Sequence, residues 1–275
     1  MNLYRIISFE TFIGLIEKKE ERYTRPVCWD DCYESYLLES LDSSQNRKKL
    51  IKILYTKISP FDPRVTVNNF MKLWYAKWCT YAQCWSREKD SDALWRIYSY
   101  NKHSIQICTN KKRIQNLFTG RNEFLKIEAV KYDVNDKTDI FMDQVYAMKK
   151  TLSVYEPYFH KRHAFKHENE YRVIIADNSK QVISNLSAWA ATHNFITSKR
   201  ATTKPVDELS RKIEESLYKF SKENVNNNLY IPIKDLSEYI IEVRVNPFAE
   251  DWFVELIADI CKKHGLKFCG KSKLY

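Results

Sequence analysis

Four glycines in 275 residues exclude more architectures than any other feature of this chain. Gly14, Gly120, Gly265 and Gly270 stand far from one another or in the wrong context. A P-loop or a dinucleotide-binding turn needs clustered glycines, because backbone N–H groups must close on phosphate with no Cβ in the way. No such cluster exists, and no G-x-S-x-G elbow exists either. P-loop nucleotidases, standard kinases, Rossmann dehydrogenases and α/β-hydrolases are therefore set aside.

What remains is a mixed pattern. The stretch 2–7 (NLYRII) reads as a strand, with Ser8 as N-cap of a helix carrying Phe9, Phe12, Ile13 and Ile16 at helical spacing. An aromatic and acidic loop over 20–45 leads to a helix. Helices are expected at 47–57 and 67–79, a strand at 81–86 (YAQCWS), a helix at 92–99 and a strand at 104–108. Thr109 is read as the cap of a short helix through Phe118. A strand follows at 124–132, then a long amphipathic helix over 139–160, which Pro157 would end early. Strands are expected at 168–176, 229–233 and 239–245, and a charged helix at 205–223. The helix at 251–264 carries Trp252, Phe253, Leu256, Ile257, Ile260 and Cys261 on one stripe, and Gly265 stops it. Strands and helices alternate without a βαβ rhythm. The expectation is one α+β domain over 1–275, with a mixed, largely antiparallel sheet, flanking helices and a loop-rich insertion at 177–228.

The seven cysteines are scattered and form no paired C-x-x-C motifs, which points to a reducing compartment. No run of about 18 uncharged apolar residues occurs, and the first ten residues lack a signal-peptide pattern. A cytoplasmic chain without a membrane partner is expected. The net charge of +10 favours polyanions, nucleic acid foremost.

The densest polar stretch is YFHKRHAFKHENEYR, from Tyr158 to Arg172. His160, His163 and His167 have a spacing that one helix face could present to a metal. Lys161, Arg162 and Lys166 stand among them and would repel a cation, so no metal is expected. Alternation places Tyr171, Val173 and Ile175 on a core face, and Glu168, Glu170, Arg172 and Ile174 on the other. Two carboxylates at i, i+2 oppose each other's ionisation and suit acid–base or charge-stabilising chemistry. Cross-strand ion pairing on a solvated face accounts for the same residues, and Glu242-x-Arg244 repeats the pattern. Elsewhere, Ser86 ends a strand, where it can orient a carboxylate or cap a turn. Trp95 and Tyr98 are an i, i+3 pair, most simply core. Arg5 sits mid-strand, where it needs a paired carboxylate or a bound anion.

The blocks YAQCWS…DALWRIYS, KRHAFKHENEYRVII and IIEVRVNPFAEDW, with the closing Ser272-x-Leu274, resemble a widespread bacterial domain family of unknown function. That family carries C-[FW]-S…LW-x-x-Y and F-x-x-E-x-E-[YF]-R blocks. The chain departs at His103–Ile105, where the family has a glycine-containing turn. A second resemblance is to ADP-ribosyltransferase toxins, which place an Arg on the first strand, a Ser at a strand end and an E-x-E turn into a later strand. Arg5, Ser86 and Glu168-x-Glu170 occur in that order. The resemblance implies a split sheet binding NAD without a Gly-rich fingerprint. Arg5 would then hold cofactor phosphate, with Arg172 helping, and Ser86 would hold the carboxylate. Glu170 would stabilise the oxocarbenium-like transition state, Glu168 would polarise the acceptor, and Tyr4, Trp95 or Tyr98 would stack on nicotinamide. This chain has CWS where such toxins have S-T-S.

The reading is therefore an NAD-consuming ADP-ribosyltransferase-like toxin or phage-defence effector, acting on RNA, DNA or protein and restrained by an antitoxin, sometimes with a chaperone. Lys161, Arg162 and Lys166 would contact phosphate. The alternative is a non-catalytic nucleic-acid-binding or regulatory module, with Lys161, Arg162, Lys166 and Arg172 as a basic surface. In the enzyme, Arg5, Ser86 and Glu170 must meet in one cleft. In the binding module, Glu170 pairs with a neighbouring strand and the basic side chains line an open surface.

Overall fold

The computed structural model describes residues 1–29, 31, 33–58, 62–134, 139–151, 153–177, 207, 211 and 226–274. The strands are β1 (Asn2–Ser8), β2 (Glu20–Thr24), β3 (Thr80–Ser86), β4 (Ser104–Asn110), β5 (Phe124–Ala129), β6 (Lys131–Val134), β7 (His160–Arg162), β8 (Glu170–Ala176), β9 (Asn228–Pro232), β10 (Glu242–Val245) and β11 (Phe268–Lys271). The helices are α1 (Phe9–Lys18), α2 (Tyr36–Glu39), α3 (Ser44–Ile53), α4 (Pro63–Cys79), α5 (Asp92–Tyr98), α6 (Lys111–Leu117), α7 (Ile140–Thr151), α8 (Leu236–Tyr239) and α9 (Asp251–Lys263).

Nine of the described strands form one sheet, in which β11, β10, β4 and β1 run side by side and β3, β8 and β5 follow. Only β10 and β11 are parallel in it; β6 and β7 make a separate parallel pair. The fold is thus α+β with a mixed, mostly antiparallel sheet and flanking helices. β1 meets β4 along its whole length but touches β3 at a single position, Tyr4 opposite Ser86. β2, paired with β9, reaches the same edge of β3 only at Thr24 opposite Ala82. The sheet therefore opens between β1 and β3.

Alternation fills a core on each face. One face buries Leu3, Ile7, Trp85, Ile107, Val173 and Val243 under α1, α6, α8 and α9. The other buries Ala82 and Ile174 under α2, α3, α4, α7 and the turn carrying Tyr158 and Phe159. Ser8 caps α1 by accepting from the Thr11 N–H, as its position requires.

Several expectations are corrected. The cap of α6 is Asn110, which accepts from the Arg113 N–H; the Thr109 hydroxyl instead donates to the Tyr239 carbonyl. The helix expected over 139–160 stops at Thr151, and 3₁₀ turns take over at 156–159 and 163–168 around β7. The strand expected over 124–132 breaks at Val130, where β5 gives way to β6. The loop expected at 20–45 contains β2. On α9, Phe253, Ile257 and Cys261 are buried, whereas Trp252 and Leu256 are exposed. The helix expected at 205–223 and the insertion expected at 177–228 lie almost wholly outside the described residues.

Two cores separated by a sheet should respond independently. Ile257→Val and Ile174→Val are each expected to cost about 0.5–1.5 kcal/mol. The double variant should equal their sum within about 0.5 kcal/mol, read from denaturant midpoints.

Candidate functional site

Residues directly opposite in a sheet carry their side chains on the same face. The register sets Cys108 beside Tyr4, Tyr4 beside Ser86, and Ser86 beside Glu170, a row crossing β4, β1, β3 and β8. On the same face Cys84 lies opposite Arg172. Side chains more than 160 positions apart in the chain, Tyr4 and Glu170, are so brought to one end of the central strands.

The approach to β8 is a tight turn. Asn169 adopts a left-handed conformation, φ 44°, which asparagine tolerates better than most residues. Its side chain is fixed on both sides: Nδ2 donates to Glu88 Oε1 at 2.5 Å, and Arg87 Nε donates to Oδ1 at 2.8 Å. The Ser86 hydroxyl donates to the Glu168 carbonyl at 2.7 Å and accepts the Glu88 N–H at 2.9 Å. Ser86 thus holds the backbone of the turn. It does not hold a carboxylate, because its one proton is already donated to the main chain. The Glu170 N–H donates to the Tyr132 hydroxyl at 2.6 Å, and burial pushes that phenol up to about 12.

The turn points two carboxylates at one cation. Lys161 Nζ lies 2.6 Å from Glu168, 3.3 Å from Glu170 and 2.8 Å from Glu34. Arg172 closes the far side: Nη2 lies 2.6 Å from Glu170 and 2.9 Å from Glu34, Nη1 donates to the Tyr158 carbonyl at 2.6 Å, and the guanidinium stacks on Trp29. All five charged side chains are buried. Burial drives both carboxyls up, but the outcome differs. Arg172 and Lys161 overcome it for Glu170, which is held below the ordinary carboxylate value; Glu168 stays above it, with only Lys161 pulling it down. Cys84, next to Glu170, is pushed well above the usual thiol range by burial and by that carboxylate, so it is no nucleophile.

In front of the carboxylates is a cleft of about 200 Å³, whose lining includes Tyr4, Arg5, Ser86, Tyr98, Glu168 and Glu170. Tyr98 is half-exposed on its wall, and burial raises its phenol. Arg5 is not a free phosphate ligand. Its Nη2 is bonded to Glu21 at 2.8 Å and its guanidinium stacks over Trp85; Glu21 also accepts from Gln83 at 2.9 Å and Tyr239 at 2.8 Å. An arginine in mid-strand needed a carboxylate or an anion, and β2 supplies the carboxylate.

Other expectations fail on burial. Arg172 is wholly enclosed and faces no ligand. Trp95 is buried and is not part of the cleft lining, because α5 turns it inward and leaves Tyr98 outward. Lys161 is committed to three carboxylates, and Arg162 is half-buried against Asp31 at 3.1 Å and stacked on Tyr33. Of the proposed phosphate contacts, Lys166 alone is exposed. The three histidines do not share a helix face: His160 is buried in β7 between Asp133 and Glu156, and His163 and His167 lie on the following 3₁₀ turn. Glu34, Trp29 and Tyr132 were not anticipated. Their loop and short strand carry no periodicity that marks them.

The chain matches no protein-family model, no curated protein and no solved structure. Among the described residues no helix is long and apolar enough to cross a membrane.

The held-down carboxylates fix the acid response. Glu170, Glu156 and Glu242 each lie below the ordinary value of 4.5 when folded. Their stabilisation is present above that value and is lost as pH falls through the folded values. Glu168, shifted the other way, stabilises only at lower pH and offsets part of the loss. Thermal melts stepped from neutral pH to below 4.5 should fall steadily, and Glu170→Gln should flatten that fall.

Proposed function

We propose that this cleft binds NAD and transfers its ADP-ribose to a nucleophilic acceptor, in an ADP-ribosyltransferase-like arrangement on the opened sheet. The observation that carries the reading is the convergence of Tyr4, Arg5, Ser86, Tyr98, Glu168 and Glu170 on one cleft, from distant parts of the chain. The volume of about 200 Å³ is below the ~300–1,000 Å³ of most ligand pockets. It suits one ring and its sugar, with the rest of the dinucleotide outside the cleft.

The lining chemistry supports that orientation. The nicotinamide of NAD is a cationic ring, and tyrosine faces beside buried carboxylates favour a cation. In the reaction the ring nitrogen–C1′ bond breaks and its electron pair returns to the ring, so positive charge passes to the ribose. Glu170, kept ionised by Arg172 and Lys161, stabilises that charge where it develops. The acceptor then bonds C1′, and Glu168 takes its proton. Arg5 supports the Trp85 wall in place of binding phosphate.

The acceptor favoured is nucleic acid, given a net charge of +10. A cytoplasmic toxin or defence effector, restrained by an antitoxin, is the setting such an activity implies, within the bacterial family the sequence blocks resemble. The rival binding module is less supported, because Lys161 and Arg172 are buried and form no open basic surface.

The test uses purified protein and adenylate-labelled NAD, with and without RNA, DNA and lysate, following nicotinamide release and label transfer. Glu170→Gln should lose about 10²–10³-fold in turnover. It removes one partner from a buried charge cluster, so its melting point is measured alongside. Tyr98→Ala, at a half-exposed position, should weaken NAD binding by about tenfold or less and leave the melting point unchanged. No release from folded protein under any condition would sink the assignment.

A further inference from the structure

The charge count around Lys161 is uneven. Three carboxylates, Glu34, Glu168 and Glu170, face two cations, Lys161 and Arg172, all buried. The pairing is uneven as well. Glu170 and Glu34 each touch both cations, whereas Glu168, among the described residues, is bonded to Lys161 alone. A third buried negative charge without its own cation is the one most easily exchanged for a proton.

We propose that Lys161 is a positioning residue that divides the work of the two cleft carboxylates, with Glu34 setting how much of its charge reaches Glu168. Glu170, braced by Lys161 and Arg172, keeps its charge facing the sugar. Glu168, sharing Lys161 with two competitors, is the group that picks up the acceptor's proton as the acceptor–C1′ bond forms, and later releases it to water. The inference rests on the cleft being the NAD site, but the proton assignment has a readout of its own. It accords with the opposite displacements of the two carboxyls.

The groups facing Glu168 come from every neighbouring element: Lys161 on β7, Glu170 on β8, Glu34 before α2, Tyr98 on α5 and Tyr132 on β6. Two substitutions push it in opposite directions. Lys161→Met removes the cation bonded to it and raises its midpoint. Glu34→Gln removes a like charge, frees more of Lys161 and lowers it. A purely structural role for Lys161 would change stability without moving the acidic limb of the rate in opposite directions in the two variants.

The experiment is a carbon-13 NMR titration of the full chain labelled at the glutamate side-chain carboxyl carbon, with Glu168 identified by its loss in Glu168→Gln. Lys161→Met should move the Glu168 midpoint up by about one pH unit or more, Glu34→Gln should move it down, and Lys161→Arg should restore the original value. Glu34→Gln is nearly isosteric and keeps the test in force if Lys161→Met does not fold. A Glu168 midpoint that stays fixed in folded Glu34→Gln, or that moves in one direction in both variants, would overturn the proposal. Nicotinamide release is assayed on the same samples, where the acidic limb of the rate should follow the same shifts. Normal midpoint shifts without any release would remove the NAD reading and leave the charge assignment; release with unmoved midpoints would do the reverse.

Discussion

The end of the sheet is organised around one ammonium group buried among three carboxylates. A lysine so placed is tolerable only while its partners remain in place, and each carboxylate is tolerable only beside a cation. The cluster therefore ties together the loop carrying Trp29 and Glu34, the short strand β7, the turn at Glu168 and the first residues of β8. Through the Tyr158 carbonyl it also reaches the second core. Packing sets the positions of the strands, and this charge cluster sets what the strands present.

The ion-pairing and acid–base readings of Glu168-Asn-Glu170-Tyr-Arg172 turn out to describe the same atoms. Glu170 and Arg172 do pair along their strand, 2.7 Å from Nε to carboxylate. Glu242 and Arg244 also pair, at 3.3 Å, with Lys89 alongside. The two sites differ in setting. At Glu242 the pair lies at the half-buried side of the sheet, while at Glu170 the pair is sealed and a second carboxylate shares the cation. Pairing keeps Glu170 charged in a place where burial would otherwise discharge it, which is a condition for its use.

Much of this was legible where one rule acted alone. β1, β3 and β8 are short, mostly apolar runs bounded by polar residues, and α9 shows helical period, so their places followed from pattern. The carboxylate pair stood out because two acids precede an apolar run. β2 was hidden because its inward residues are Glu21 and Tyr23: an inward glutamate breaks the expected alternation, and the side chains that make it tolerable, Arg5, Gln83 and Tyr239, lie far from it in sequence. The same partner explains why Arg5 looked like a phosphate ligand. Its spacing showed that it needed a negative charge but not whose. The helix expected over 139–160 failed for a local reason, since apolar spacing continued past the point where the backbone tightened into 3₁₀ turns.

The row Tyr4–Ser86–Glu170 has a consequence for synthesis. Tyr4 lies on β1, but the strand that completes the row, β8, ends at Ala176, and β10, which flanks β4, comes later still in the sequence. Contacts of such sequence separation form late, because the loop between them must close first. A chain still in synthesis thus carries Tyr4 and Ser86 before Glu168 and Glu170 exist to complete the lining. The cleft is therefore a product of the slow, long-range step of folding, and a destabilised β3–β8 pairing would erase it while leaving the local β4–α6 segment intact.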